Sequence, residues 1–298
     1  MKTLKYMLTG IMLFMIISIC CSQTSEKNEQ VITLQSVTKT TSKKLLSESR
    51  EILLRRLEYL KIRDVEIIQN DAKSMLVVKT KDTIRREFLL DILLIQGHVN
   101  FYETMNRQEV LKYFRNQTSG CVRDVFTSLH AMDSLRFGSE PIFGMAAAKD
   151  TGSINKCLSS KEVRTLLPDQ VQLLWTKYPA DNNKYFFYCI STSDKTFNEN
   201  ILSEAHADLT HPNQPELCIA FKEIAWQLWK DLTIRNMDKP VAFVIDGKVY
   251  FAPRIRSEIP HGKISLTGGG FSKSEVSKLA SIISNGAVPL KFKVVGNN

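Results

Sequence analysis

KPVAFVIDGKVYFAP, residues Lys239–Pro253, is the stretch that decides the fold. Val241–Ile245 is wholly apolar and Lys248–Phe251 is a second β-rich run. Asp246-Gly247 joins them, and such a loop predicts a hairpin because its tight turn needs positive φ. Downstream, Thr267-Gly-Gly-Gly-Phe271 reads as a turn. Ser272 with Glu275 forms a capping box ahead of a helix over Lys273–Ser284, with Asn285-Gly286 as its stop and Lys291–Val295 as a last strand. Upstream, Glu223–Leu232 is helical, with Trp226 and Trp229 three apart on one face as core residues. Leu217–Phe221 and Tyr185–Ile190 read as strands. Between Thr104 and Lys195 the pattern loosens into helical pieces and loops, with a capped helix start at Ser160.

The N-terminal third is more regular. VITLQSV, Val31–Val37, alternates as a strand does. Ser47–Leu60 carries Ile52, Leu53, Leu57 and Leu60 at helical spacing, with Arg50, Arg55, Arg56 and Glu58 off that stripe. Two short strands, Val65–Gln69 and Met75–Lys79, precede a helix over Ile84–Ile95 and a strand over His98–Glu103. The order is that of a split β-α-β-β-α-β unit, which predicts an α+β fold with a ferredoxin-like base.

The 298 residues allow one large domain or two smaller ones. With 43% hydrophobic and 24% charged residues, the chain is neither disordered, collagen-like nor a multi-span membrane protein. Its formal net charge of +9 fits an ordinary basic protein. The basic helix with Arg50, Arg55, Arg56, Lys61 and Arg63 lacks interleaved aromatics, so a solvated face is expected there and nucleic acid is not.

The first residues read as an export address. Lys2 and Lys5 precede an uncharged run, Leu8–Ile19, that is shorter than the about 20 residues a bilayer span needs. Cys20 and Cys21 follow, then a polar stretch, which resembles a bacterial lipoprotein signal with lipid on Cys21 (alternatively Cys20). Residues 1–20 are thus the expected signal peptide and 21–30 a linker; removing the former lowers the charge to +7. Cys121, Cys157, Cys189 and Cys218 are widely spaced, which excludes CxxC zinc or redox motifs and leaves disulfides or buried thiols open.

No catalytic set emerges. The five histidines form no HExxH or HxH, and GxSxG and GKS/T loops are absent. Gly268–Gly270 lacks the Lys-Ser/Thr that a phosphate loop requires. Asp246 is explained by its turn. No enzyme activity, cofactor or metal is expected.

Several segments, in order, resemble one family: the first periplasmic domain of SecD and of the fused SecDF protein-export membrane proteins, Bacteroidetes-type. Ser49–Asn70, SREILLRRLEYLKIRDVEIIQN, is similar to a family helix-and-strand phrase. So is Asp150–Trp175, DTGSINKCLSSKEVRTLLPDQVQLLW. The likeness continues through Asn200–Pro215, then Glu223, Ala225, Trp229, Leu232 and Thr233, and is most specific at Lys239–Pro253. It runs on through Glu258-Ile259 and Gly262, Thr267-Gly268, Phe271-Ser272, Leu279-Ala280 and Gly286–Pro289. Departures include Ile224, where the family has glycine, and Lys263, where it has a second glycine after Gly262.

The resemblance implies a base built by both ends of the chain, residues 31–104 and 236–298, with a smaller head, 105–235, inserted between them. It implies a non-enzymatic domain that binds exported or unfolded polypeptide in an accessory role in protein export. The expected partners are preprotein or Sec translocon components, with the membrane reached through the N-terminal lipid, on the periplasmic side of the inner or outer membrane. The family's proton coupling lies in membrane helices, so proton-driven translocation is not expected of this chain. The alternative is a structural or surface lipoprotein that kept the fold and lost Sec association. Apolar surface that could hold an extended chain is expected in the head, at Phe137, Ile142, Phe143, Tyr178, Tyr185 and Phe187. Asp246, Gly247 and Pro253 are structural residues of the family hairpin.

Overall fold

The computed structural model describes residues 29–38, 41–114, 141–179, 183–193, 197–268 and 271–296. Its first unit is a four-stranded sheet backed by two helices. β1 (Gln30–Ser36), β2 (Val65–Asn70), β3 (Met75–Thr80) and the distant β13 (Phe292–Val294) form it, in the antiparallel order β13-β1-β3-β2. Alternation sends Ile32, Leu34, Ile67, Leu76 and Val78 inward. They meet Leu46, Ile52, Leu53 and Leu57 of α1 (Lys43–Tyr59), Leu89, Ile92 and Leu93 of α2 (Arg86–Leu94), and Val288, Leu290 and Phe292 from the chain's end.

This is the strand order of a ferredoxin-like unit, but its fourth strand is not the one the sequence order predicts. β4 (Val99–Thr104), expected in that place, leaves for another sheet, where it pairs with β10 (Val241–Ile245). Two facts explain the switch. Val99 and Phe101 are opposite Ile245 and Phe243, and the Phe101 and Phe243 rings lie 5.2 Å apart. β13 already occupies the free edge of β1, pairing Leu34 with Val294.

The second sheet runs β11-β10-β4-β7-β5, where β5 is Ile142–Ala147, β7 is Lys184–Ser191 and β11 is Lys248–Phe251; β6 (Val171–Trp175) also pairs with β7. β5 and β6 lie in the stretch expected to be helices and loops. Short helices α3 (Arg107–Leu111), α4 (Ala148–Leu158) and α5 (Lys161–Arg164) accompany them, α5 capped by Ser160 as expected. A third sheet, β12-β9-β8, comprises β8 (Leu202–Asp208), β9 (Glu216–Phe221) and β12 (Lys263–Leu266). It shares one core with α6 (Trp226–Arg235), α7 (Lys273–Asn285), β4 and β10. Residues 236–298, expected to complete the base, therefore divide: β10, β11 and β12 join the other two sheets, and only Val288–Val294 returns to the first. Cys157 is disulfide-bonded, whereas Cys189 and Cys218 are free thiols, Cys189 buried. Among the described residues, no helix is long and apolar enough to cross a membrane.

Two buried cations join the first unit to the rest. Arg56, expected on a solvated face, is 0% exposed. Its Nη1 donates to the Ile95 carbonyl (2.7 Å) and its Nη2 to those of Gln96 and Gly286 (both 2.6 Å). Burial lowers its pKa to about 10, against the opposing pull of Asp246, so the guanidinium stays charged at neutral pH. Lys278 of α7, 1% exposed, meets Asp91 of α2 and Glu275, the latter at 2.7 Å. Lys177 also reaches Asp91, at 3.2 Å. Burial alone would raise the Asp91 pKa, but the hydrogen bonds and charges of Lys278 and Lys177 hold it below its ordinary value.

The joint sets two expectations. Gly97 has φ +91°, and a Cβ there would lie 2.5 Å from Arg56 Nη2 and 2.7 Å from Ile282 Cγ2. Gly97→Ala should therefore cost about 2–4 kcal/mol in a denaturant titration, from strain plus overpacking. Asp91→Asn should cost about 1–2 kcal/mol at neutral pH, discounted because Asp91 is partly exposed. Since the folded pKa of Asp91 is depressed, its contribution is present above the unfolded carboxylate value of about 3.9 and is lost as pH falls through the folded value. The gap in thermal midpoint between wild type and Asp91→Asn should narrow toward about pH 3. A gap that stays constant with pH would contradict the assignment.

Candidate functional site

The hairpin that opens the sequence reading sits beside the joint. Asp246 (φ +48°) and Gly247 (φ +72°) both take positive φ, as a primed two-residue turn requires. The Asp246 carboxylate accepts from the Gly97 N–H (3.0 Å) and the His98 N–H (2.9 Å), and its own N–H donates to the His98 carbonyl (3.0 Å). Every one of these contacts is to backbone, so this carboxylate clips the start of β4 to the hairpin.

Two clefts flank the hairpin. One, of about 420 Å³, is lined by Glu87, Asp91, Lys177, Asp246, Lys248 and Tyr250 together with Leu90, Leu94, Ile95 and Ile245. Its charges are of both signs and largely engaged: Asp91 with two lysines, Asp246 with backbone. Burial and the nearby Lys177 lower the Lys248 pKa, while burial and acidic neighbours raise that of Tyr250. Cross-links of this kind hold elements together and leave little for a ligand.

The other cleft, of about 220 Å³, differs in character. Its floor is Phe101 of β4, Val241 and Phe243 of β10 and Trp229 of α6. Pro253–Ser257 and Ile259 form one wall, and all four residues of β12 form the other. Its described lining residues include three cations, Arg254, Arg256 and Lys263, and no carboxylate, although Asp238 pairs with Arg256 and Glu216 accepts from Ser265 Oγ at its margin. The floor is rigid: Phe101 packs edge-on to Trp229 at 5.1 Å, and Trp229 stacks on Phe221 at 4.2 Å. Gly262 leads into β12 at φ +57°, where a Cβ would lie 2.6 Å from Trp226 Cδ1, so the glycine lets the strand pass close to α6. This basic, apolar cleft beside a strand edge is the candidate site. Among the described residues, no group of His, Cys, Asp or Glu could hold a metal ion.

The residues expected to contact polypeptide lie elsewhere. Ile142, Phe143 and Phe187 are buried, and Phe187 stacks on Trp175 at 4.3 Å inside the core of the second sheet. Tyr185 packs against that core half-buried. They are packing residues because β5, β6 and β7 pair there, strands that the loosened sequence pattern concealed. Tyr178 belongs to the joint: its hydroxyl donates to Glu275, and burial with that carboxylate raises its pKa. Glu275 consequently completes only half of the expected capping box. Ser272 Oγ accepts from the Glu275 N–H at 3.1 Å, while the Glu275 carboxylate turns to Tyr178 and Lys278. Phe137, Cys20 and Cys21 fall outside the described residues. The cleft residues were missed because Pro253–Leu266 offers only short strand signals, and β12 has four residues.

Comparison with known proteins places this geometry. Residues 176–290 match the family model for the SecDF P1 head subdomain. SecD of Rhodothermus marinus is 26% identical over 162 residues, 53% of this chain and 26% of that protein. SecD of Acidaminococcus fermentans is 34% identical over 96 residues, 32% of this chain and 23% of that protein. The chain thus spans about a quarter of the length of these relatives. Among solved structures, SecDF in a super-membrane-facing form aligns with 89% of this chain and 29% of its own at a TM-score of 0.52 and 18% identity. A SecDF structure described as a membrane component that enhances protein export aligns with 90% of this chain and 99% of its own, at a TM-score of 0.51 and 16% identity. The chain has the mixed, antiparallel fold of a SecDF periplasmic domain, and its sequence is similar to the P1 head subdomain of that family.

Proposed function

We propose that this chain is a SecD-like periplasmic domain that binds exported or unfolded polypeptide in an accessory role in protein export. The observation that carries the reading is the apolar cleft with a basic rim along the edge of β12, lined, apart from Phe101, by residues of the region that matches the P1 head. A rigid aromatic floor next to a strand edge suits an extended chain, whose side chains need pockets and whose backbone needs partners. The role is binding, with no enzymatic or proton-driven step assigned to this domain. The base is the sheet β13-β1-β3-β2 with α1 and α2, and the remaining sheets form the head. The partners are preprotein and Sec translocon components, met on the periplasmic side of a membrane to which a lipid on Cys21 tethers the chain.

A photo-crosslinking residue at Ile264, which lines the cleft, should capture secretory polypeptide or translocon subunits in growing cells. The same probe at Ile68, an exposed position on β2, should not. Equal labelling from both positions, or none from either, would sink the reading. Metabolic lipid labelling should vanish in Cys21→Ser. Labelling that persists there and disappears in Cys20→Ser would move the attachment site.

A further inference from the structure

We infer that the cleft takes one extended polypeptide segment as an added strand on β12, and that it selects segments with alternate apolar residues flanked by carboxylates. This deepens the polypeptide-binding reading above and rests on it. The first support is the free edge. Among the described residues, β12 is terminal in its sheet and pairs only with β9. The register joins Lys263 to Ala220 and Ile264 to Ile219, and the Phe221 N–H donates to the Gly262 carbonyl at 2.8 Å. Gly262 is thus a hydrogen-bonded position, and antiparallel alternation gives Ile264 and Leu266 the same role. The N–H and C=O of Lys263 and Ser265 then point away from β9, on the outer edge of a strand that lines the cleft opposite Pro253–Ile259. Among the described residues, no backbone hydrogen bond joins β12 to that wall across the cleft. An incoming strand would find two donors and two acceptors there.

The second support lies on the floor. Trp229 is 2% exposed and lines the cleft, and its indole N–H has no acceptor among the described residues. A buried donor without a partner is costly, and a carbonyl of an inserted segment is the kind of group that would relieve it. The third support is charge. Arg254, Arg256 and Lys263 are the charged groups among the described lining residues, and the nearby carboxylates are already engaged, Glu216 by the Ser265 hydroxyl and Asp238 by Arg256. Arg256 is only loosely held, its exposed ion pair with Asp238 being 3.2 Å long. Alternate side chains of an added strand point to one face, so apolar residues two apart reach the aromatic floor while flanking carboxylates reach the rim.

Fluorescence anisotropy with synthetic labelled decapeptides on the full chain tests this. One peptide carries alternating Val and Thr flanked by Asp pairs; a second exchanges Asp for Lys; a third is the first with alternate backbone nitrogens methylated. The Asp-flanked peptide should bind at least about tenfold more tightly than the Lys-flanked one, and the gap should close in about 0.5 M salt. Methylation should abolish binding. Arg256→Glu with Lys263→Glu should invert the charge preference. Ser265→Pro should weaken all peptides by about tenfold or more while leaving the thermal midpoint close to wild type, since that N–H lies outside the β9 ladder. If Ser265→Pro unfolds, the methylated peptide still decides the backbone contact. Binding indifferent to charge and methylation would overturn this inference and leave the polypeptide-binding reading intact. Failure of every peptide, and of a reduced unfolded protein used as a control, would overturn both.

Discussion

Arg56 holds the chain's two halves in register. A guanidinium removed from water needs partners, and here three backbone carbonyls take its two terminal nitrogens: Ile95 and Gln96 after α2, and Gly286 after α7. These carbonyls belong to helix ends and connections, where intrahelical partners run out. The cation thus satisfies acceptors that the fold would otherwise leave orphaned at its most crowded point. A lysine could not match this, because a planar fork addresses several carbonyls in fixed directions while an ammonium is a point charge. Ser281 Oγ completes the arrangement by donating to the Arg56 carbonyl at 2.8 Å, so α7 and α1 bind each other in both directions.

The consequences spread from there. Gly97 is a glycine because Arg56 leaves no room for a Cβ. β4 starts where it does because the N–H groups of Gly97 and His98 are held by Asp246, whose charge also supports Arg56. Asp246 sits in the turn of the hairpin that forms one rim of the second sheet, so the joint orients that sheet directly. The Lys278–Asp91 pair repeats the principle nearby, with α7 donating to α2. The two apolar cores on either side are each closed on their own, one from Ile32 to Phe292 and the other from Val99 to Ile283. The contacts between them include these polar, directional ones, which specify an angle where a purely apolar interface would allow sliding.

Much of this was legible wherever the determining contacts are local. The Asp246-Gly247 hairpin, the Ser272 cap, the Gly286 stop and the helices over Lys43–Tyr59 and Arg86–Leu94 rest on neighbours within a few residues. The choice of β13 over β4 as the fourth strand of the base was not legible. It depends on pairing Leu34 with Val294, two residues separated by nearly the whole chain. Arg56 read as solvent-facing because its environment comes from residues 39 to 230 positions away. Phe143 and Phe187 read as candidate contacts for the same reason: an aromatic in an irregular stretch looks available until the strands that cover it are known. The family phrases located the region of the candidate cleft. They could not distinguish its floor from its walls, since Phe101 and Trp229 meet only through the sheets.

The cleft itself is explained by the joint. β10 and β4 supply its floor, and their position is set through Asp246 and Gly97 by the Arg56 contact. β12 supplies a wall, and its position is set by β9 and by the close passage of Gly262 over Trp226. Floor and wall thus meet through one shared core, Leu266 with Phe101, Trp229 and Phe243, while each is held by separate contacts. A free strand edge is a liability in a protein, and chains commonly blunt it with charge or brevity. β12 has both, with four residues beginning at Lys263. Those devices discourage pairing with long, flat, uncharged strands. They leave access for a short segment whose own carboxylates answer the rim, and this is the difference between a strand edge that aggregates and one that selects.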